Sequence, residues 1–96
     1  MTAPWFCYLL ACADGTLYTG ITTDLARREA MHNAGTASKY TRARRPARIV
    51  WAEPHPDRGA ASRREARVRR MPAAAKRALV ESSPSPPDGN PISTES

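Results

Sequence analysis

The first apolar positions form an unbroken run, Trp5-Phe6-Cys7-Tyr8-Leu9-Leu10-Ala11-Cys12, of strand length and rich in aromatics. Both faces of such a strand are apolar, which predicts a central strand covered on both sides. Ala13-Asp14-Gly15 punctuates the run, and Thr16 to Ile21 follows as a second strand. Asp-Gly between two apolar runs signals a hairpin. Its register decides which side chains meet, because a slip of one residue reverses the faces. A two-residue Asp14-Gly15 loop sets Tyr8 and Tyr18 on opposite faces. A three-residue loop, with Ala13-Asp14 as a type I turn and Gly15 as the left-handed bulge residue, sets both phenols on one face. Gly15 suits that position, so the second register is expected.

Thr22, Thr23 and Asp24 carry N-cap chemistry for a helix running to about Asn33, with Gly35 as its stop. Ala34 to Pro46 is a polar, basic connection, at most partly helical and ended by Pro46. Ala47 to Glu53 alternates weakly and predicts a third strand, at an edge given Pro54 and Pro56. His55, between those prolines, reads as a loop residue with no role. Asp57 or Ser62 caps a helix to about Met71, and Pro72 opens a shorter one through Val80. Ser82 to Ser96 is rich in Pro, Ser and acid and predicts a disordered tail.

Charge narrows the picture. The chain of 96 residues has a formal net charge of +6, and its length allows one domain with one modest core. All fifteen basic side chains precede Glu81, thirteen of them arginine, whereas Asp88 and Glu95 follow it. They cluster in Arg27 to Arg48 and Arg58 to Arg77. A basic domain rich in the residue suited to bidentate phosphate contact points to nucleic acid. An arginine-rich solvated surface is the plainer alternative. No apolar run reaches the length of a membrane span, and no signal-peptide pattern opens the chain, so a cytoplasmic protein is expected. Cys7 and Cys12, five residues apart on a strand, would lie about 16 Å apart on opposite faces, too far for a disulfide. Buried free thiols are expected.

The candidate chemistry lies on two helices. Arg28 and His32, one turn apart, share a helix face, and a guanidinium beside an imidazole suits an anionic oxygen such as phosphate. Solvated surface residues are the alternative. On the later helix Ala61, Glu65, Val68 and Pro72 share a stripe, with Arg69 elsewhere on the wheel. An inward carboxylate needs a partner, either an arginine or a metal ion. Candidate nucleic-acid contacts are Arg27, Lys39, Tyr40, Arg42, Arg44, Arg45 and Arg69.

Together these residues resemble the GIY-YIG nuclease domains. The tyrosine of the first motif is Tyr8, in Phe6-Cys7-Tyr8, and the second motif is Tyr18-Thr19-Gly20. The family's catalytic arginine follows the motif glycine by eight residues, here Arg28, and a histidine one turn on is His32. The metal-binding glutamate of a later helix matches Glu65 in Ala61-Ser62-Arg63-Arg64-Glu65. The resemblance spans Trp5 to Val80 and is greatest to small stand-alone bacterial proteins of one such domain, with Tyr18-Thr19-Gly20-Ile21-Thr22 and Lys39-Tyr40-Thr41-Arg42 in similar places. Phe6, Cys7 and Thr19 depart from the motifs, and Ile21 stands where some repair members have a lysine.

The resemblance implies an α+β fold, a small three-stranded antiparallel sheet flanked by helices in the order β-β-α-β-α-α. It would occupy residues 4–81, with 82–96 as tail. It further implies a magnesium-dependent endonuclease acting on structured or damaged DNA, DNA being expected over RNA. Glu65 would anchor a single Mg2+ or Mn2+ ion, and Arg28 would stabilise charge on the phosphoryl oxygens. Tyr18 would take a proton from the attacking water, with Tyr8 as orienter or relay. His32 would shuttle a proton or bind phosphate. Two other readings stand beside this one: a non-catalytic nucleic-acid-binding module, and a domain whose cutting requires a targeting protein partner.

Overall fold

The computed structural model describes residues 3–82. The expected tail, apart from Ser82, lies outside the described residues. Strand β1 spans Trp5–Ala11, β2 Leu17–Thr22 and β3 Arg48–His55; helix α1 spans Leu25–Ala34, α2 Lys39–Arg42, α3 Arg58–Arg69 and α4 Ala73–Ser82. The expected class and element order are observed, with one addition: the basic connection folds one turn, α2, capped by Ser38. The sheet is antiparallel in the order β2-β1-β3. β1 is central because it alone is apolar on both faces. Cys7 and Leu9 face a core with Trp51 of β3 and Val68 of α3, while Tyr8 and Leu10 face another with Leu25 of α1 and Ala47. α1 therefore covers one face and α3 the other. Cys7 and Cys12 are free, buried and divided between the two cores.

The hairpin takes the three-residue form. Gly15 N–H donates to the Cys12 carbonyl at 2.9 Å, Cys12 N–H to the Thr16 carbonyl at 2.9 Å, and Gly15 has φ +88°. Tyr8 then pairs with Gly20 and Leu10 with Tyr18, so both phenols share a face. On the other side of β1 the register shifts, with Leu9 opposite Trp51 but Leu10 opposite Ile49. The extra residue, Val50, turns toward the same core as Trp51, while Ile49 joins the Tyr8 core.

Edge strand β3 is held from α1. Asn33 Nδ2 donates to the Ala47 carbonyl at 2.7 Å and its Oδ1 accepts from Ala47 N–H at 2.8 Å; Glu29 Oε2 accepts from Ile49 N–H at 2.7 Å. His55 is not a loop residue. It lies in β3 opposite Trp5, 2.9 Å from Glu53 Oε1, which also accepts from Arg64 Nε at 2.9 Å. Pro54 does not end the strand, because an edge strand tolerates a missing donor.

Thr19 is the misfit in this packing. It is buried opposite Leu9, and its hydroxyl has no partner among the described residues. An orphaned buried hydroxyl costs on the order of 1–3 kcal/mol, whereas a methyl of similar shape costs nothing in hydrogen bonds. Thr19→Val should therefore raise the urea midpoint by the equivalent of about 1 kcal/mol at unchanged slope. An unchanged or lowered midpoint would show that the hydroxyl is satisfied.

Candidate active site

The site begins where the chain lacks a side chain. A Cβ at Gly20 would come 2.5 Å from Tyr8 Oη and 2.6 Å from Tyr8 Cζ. Glycine at the end of the Tyr-Thr-Gly motif thus lets the Tyr8 ring lie flat across β2, where it is only 2% exposed. Tyr18 lies on the same face and is half-buried.

α1 is set over this face by its ends. Asp24 caps it by accepting from Arg27 N–H at 3.0 Å, and Gly35 closes it in the left-handed region at φ 84°. His32 in its last turn is 1% exposed. Its ring meets both tyrosines edge-on, with centroids 6.0 Å from Tyr8 and 5.4 Å from Tyr18. Tyr8 Oη and His32 Nε2 lie 2.9 Å apart, and His32 Nδ1 lies 2.8 Å from Oγ1 of the buried Thr41 in α2. The imidazole is thus enclosed on both nitrogens. On the face it shares with Arg28, His32 is buried, so a phosphate in solvent does not reach it.

Arg28, Tyr18 and Glu65 each bear electrostatically on Tyr8. Burial raises the Tyr8 phenol above its ordinary value, the Arg28 guanidinium opposes that rise, and Tyr18 and the Glu65 carboxylate add to it. Those groups come from α1, β2 and α3, so three elements act on one phenol. The Glu65 side chain is 19% exposed, and Arg69 Nη2 donates to its Oε2 at 2.7 Å. The arginine partner is therefore present, and Arg69 is not a free outer-face cation. Among the described residues, no group of three or more His, Cys, Asp and Glu side chains gathers to hold a metal.

The expected nucleic-acid contacts divide. Arg27 and Arg28 line a depression of about 200 Å³ with Thr22, Thr23 and Asp24, and Lys39 and Arg42 are exposed. Tyr40 is 38% exposed and stacks on Tyr18 at 5.7 Å, with the Arg44 guanidinium 3.8 Å from its ring centre. Arg44 is tied by Nε to Asp14 at 2.9 Å, and Arg45 Nε donates to the Arg42 carbonyl at 2.9 Å. The contact of Thr41 with His32 was not foreseen; the signal available was Thr41 within Lys39-Tyr40-Thr41-Arg42.

Tyr8 and Tyr18 on one face of the sheet occupy the two motif positions that the resemblance names. The family model of the GIY-YIG catalytic domain matches residues 4–76. The chain belongs to the GIY-YIG family. A UPF0213 protein of Desulfotalea psychrophila is 49% identical over 80 residues, covering 82% of this chain and 73% of that protein. One from Halobacterium salinarum is 47% identical over 72 residues, covering 75% and 94%. The solution NMR structure of the UPF0213 protein BH0048 from Bacillus halodurans matches with a TM-score of 0.52 at 40% identity, covering 81% of this chain and 83% of that one. Relatives of this GIY-YIG domain occur in both bacteria and archaea, so the bacterial resemblance was drawn too narrowly. No helix among the described residues is long and apolar enough to cross a membrane.

Two outcomes test this geometry. Gly20→Ala should displace the Tyr8 ring and open the Tyr8–His32 contact, visible as new chemical shifts for the His32 ring; unchanged shifts would refute the close approach. The second is a pH dependence. Burial, then the Arg28 charge, holds His32 below its ordinary 6.5, so the folded state keeps the ring neutral while the unfolded chain binds a proton. Stability from this group is complete above 6.5 and is lost as pH falls through the folded value. The urea midpoint should decline as pH falls below 6.5, before the carboxylates titrate, and His32→Gln should flatten that slope. Equal slopes in the two proteins would place the titration elsewhere.

Proposed function

We propose that this GIY-YIG domain is a metal-dependent endonuclease that hydrolyses phosphodiester bonds, with structured or damaged DNA as substrate in preference to RNA. The observation that carries this reading is the pair of phenols, Tyr8 and Tyr18, on one face of the sheet with the His32 ring of α1 edge-on to both. Arg28, half-buried beside the phenols, stabilises charge on the phosphoryl oxygens. Tyr18, the less buried phenol, accepts a proton from the attacking water, and Tyr8, held by His32, orients that water or relays the proton. Exposed Arg27, Lys39, Tyr40 and Arg42 supply contacts to the strand. The domain reaches its substrate with or without a targeting protein partner.

Glu65 would hold the cation. Oε2 is engaged by Arg69 and Oε1 has no partner among the described residues. A single carboxylate fits one Mg2+ or Mn2+ ion that keeps most of its waters and completes its shell with substrate phosphate. Such an ion, when bound, offsets negative charge on the leaving oxygen. The Arg69–Glu65 pair favours the second reading, a binding module that uses the same basic surface without cutting.

A panel of labelled DNA and RNA structures with Mg2+, Mn2+ or EDTA separates the two. Cleavage should require the metal, and Glu65→Gln should abolish it while binding in EDTA stays equal or improves. Arg28→Ala should lower kcat by about 100- to 1000-fold, the scale of one lost charge-stabilising donor. Its binding should weaken only modestly. Arg69→Ala frees Glu65 and should lower the metal concentration needed for half-maximal cutting. Absence of cleavage by the wild type under every condition would establish the binding module. Unfolding of Glu65→Gln would make Glu65 a structural partner of Arg69.

A further inference from the structure

The polarity of the buried chain behind Tyr8 follows from its last link. Thr41 Oγ1 lies 3.3 Å from the carbonyl of Ser38, the cap residue of α2. A carbonyl only accepts, so both Thr41 contacts are made at once only if the single hydroxyl hydrogen goes to Ser38. In that arrangement Thr41 Oγ1 faces His32 Nδ1 at 2.8 Å as an acceptor, and Nδ1 carries the ring hydrogen. A neutral imidazole has one N–H, so Nε2 is bare and takes the Tyr8 hydroxyl hydrogen across 2.9 Å.

We infer that Thr41 is a positioning residue: by accepting from Nδ1–H it sets the His32 tautomer and thereby aims the Tyr8 hydroxyl hydrogen at His32 Nε2. The Tyr8 oxygen, with its hydrogen committed to His32, faces any further group only as an acceptor. A water that reached the Tyr8 oxygen would donate to it and keep its own lone pair free. Thr41, His32 and Tyr8 are 0%, 1% and 2% exposed, so solvent does not compete for these contacts. Thr41 acts on Tyr8 through His32. The tautomer rests on Thr41 making both of its contacts at once. Its consequence for turnover rests on the nuclease reading.

Long-range proton–nitrogen NMR spectra of the His32 ring in the full chain, above the ring's titration, read the tautomer directly. The wild type should show a protonated Nδ1 and a bare Nε2. Thr41→Val keeps the shape but removes the acceptor, and the ring should then populate the Nε2–H form as well. Thr41→Ser restores the hydroxyl and should restore the wild-type pattern. In cleavage assays Thr41→Val should lower kcat by about 10- to 100-fold, the scale on which loss of an imidazole's orienting partner is felt. KM should hardly move, and Thr41→Ser should recover kcat. A protonated Nε2 in the wild type overturns the proposal, as does an unaltered tautomer in Thr41→Val. Equal kcat for the two variants overturns its catalytic part. Should Thr41→Val not fold, the wild-type spectrum and Thr41→Ser decide. Should the wild type cut nothing, the nuclease reading fails, yet the ring signals still decide the tautomer.

Discussion

The structure depends on the contact between Tyr8 and the bare backbone of Gly20. Any larger residue at position 20 would occupy the volume of the Tyr8 phenol. With the ring laid across β2, its hydroxyl reaches His32, and α1 can pack closely enough to bury the imidazole against both tyrosines. Tyr40 then stacks on Tyr18 from the far side of the connection. The second motif's glycine is therefore a packing requirement of the first motif's tyrosine. The two short motifs are one spatial unit, split between neighbouring strands and joined by the hairpin.

Around that unit, charge is arranged unevenly. Tyr8 and His32 themselves are held uncharged by burial, with Arg28 as the cation bearing on both. Farther out, arginines are tied to carboxylates or carbonyls of the chain itself: Arg44 to Asp14, Arg64 to Glu53, Arg69 to Glu65 and Arg45 to the Arg42 carbonyl. Such exposed pairs contribute little to stability in water, at most about 1 kcal/mol each. They do hold the guanidinium groups in fixed places, which shapes the positive surface as much as the formal charge does.

The sheet was legible because its determinants are local. Gly15 announced a positive φ, which set the hairpin register and brought Tyr8 and Tyr18 together. The two apolar faces of β1 announced its central place, and Asp24, Gly35 and Asp57 marked helix ends by their own capping chemistry. The site was legible in part. Spacing put Arg28 and His32 on one helix face but could not show that His32 turns inward, since its partner Thr41 comes from a turn placed by tertiary packing. The hydrophobic stripe of α3 turned Glu65 inward correctly, yet Arg69 stands four residues later, a spacing that by itself names the partner. His55 was misread because its flanking prolines suggest a loop, whereas an edge strand accommodates them.

The bonds from Asn33 and Glu29 to Ala47 and Ile49 have a consequence for solubility. An edge strand ordinarily presents unpaired backbone groups that can template a strand from another molecule, the first step of sheet-to-sheet aggregation. At the start of β3 two side chains of α1 engage Ala47 N–H and C=O and Ile49 N–H, imitating the bonds a neighbouring strand would make. The helix thus acts as a stopper on the sheet. Asn33 and Glu29 are one turn apart, so a single helix face guards the edge. A small sheet with so short a perimeter remains closed to further strands there without adding a fourth of its own.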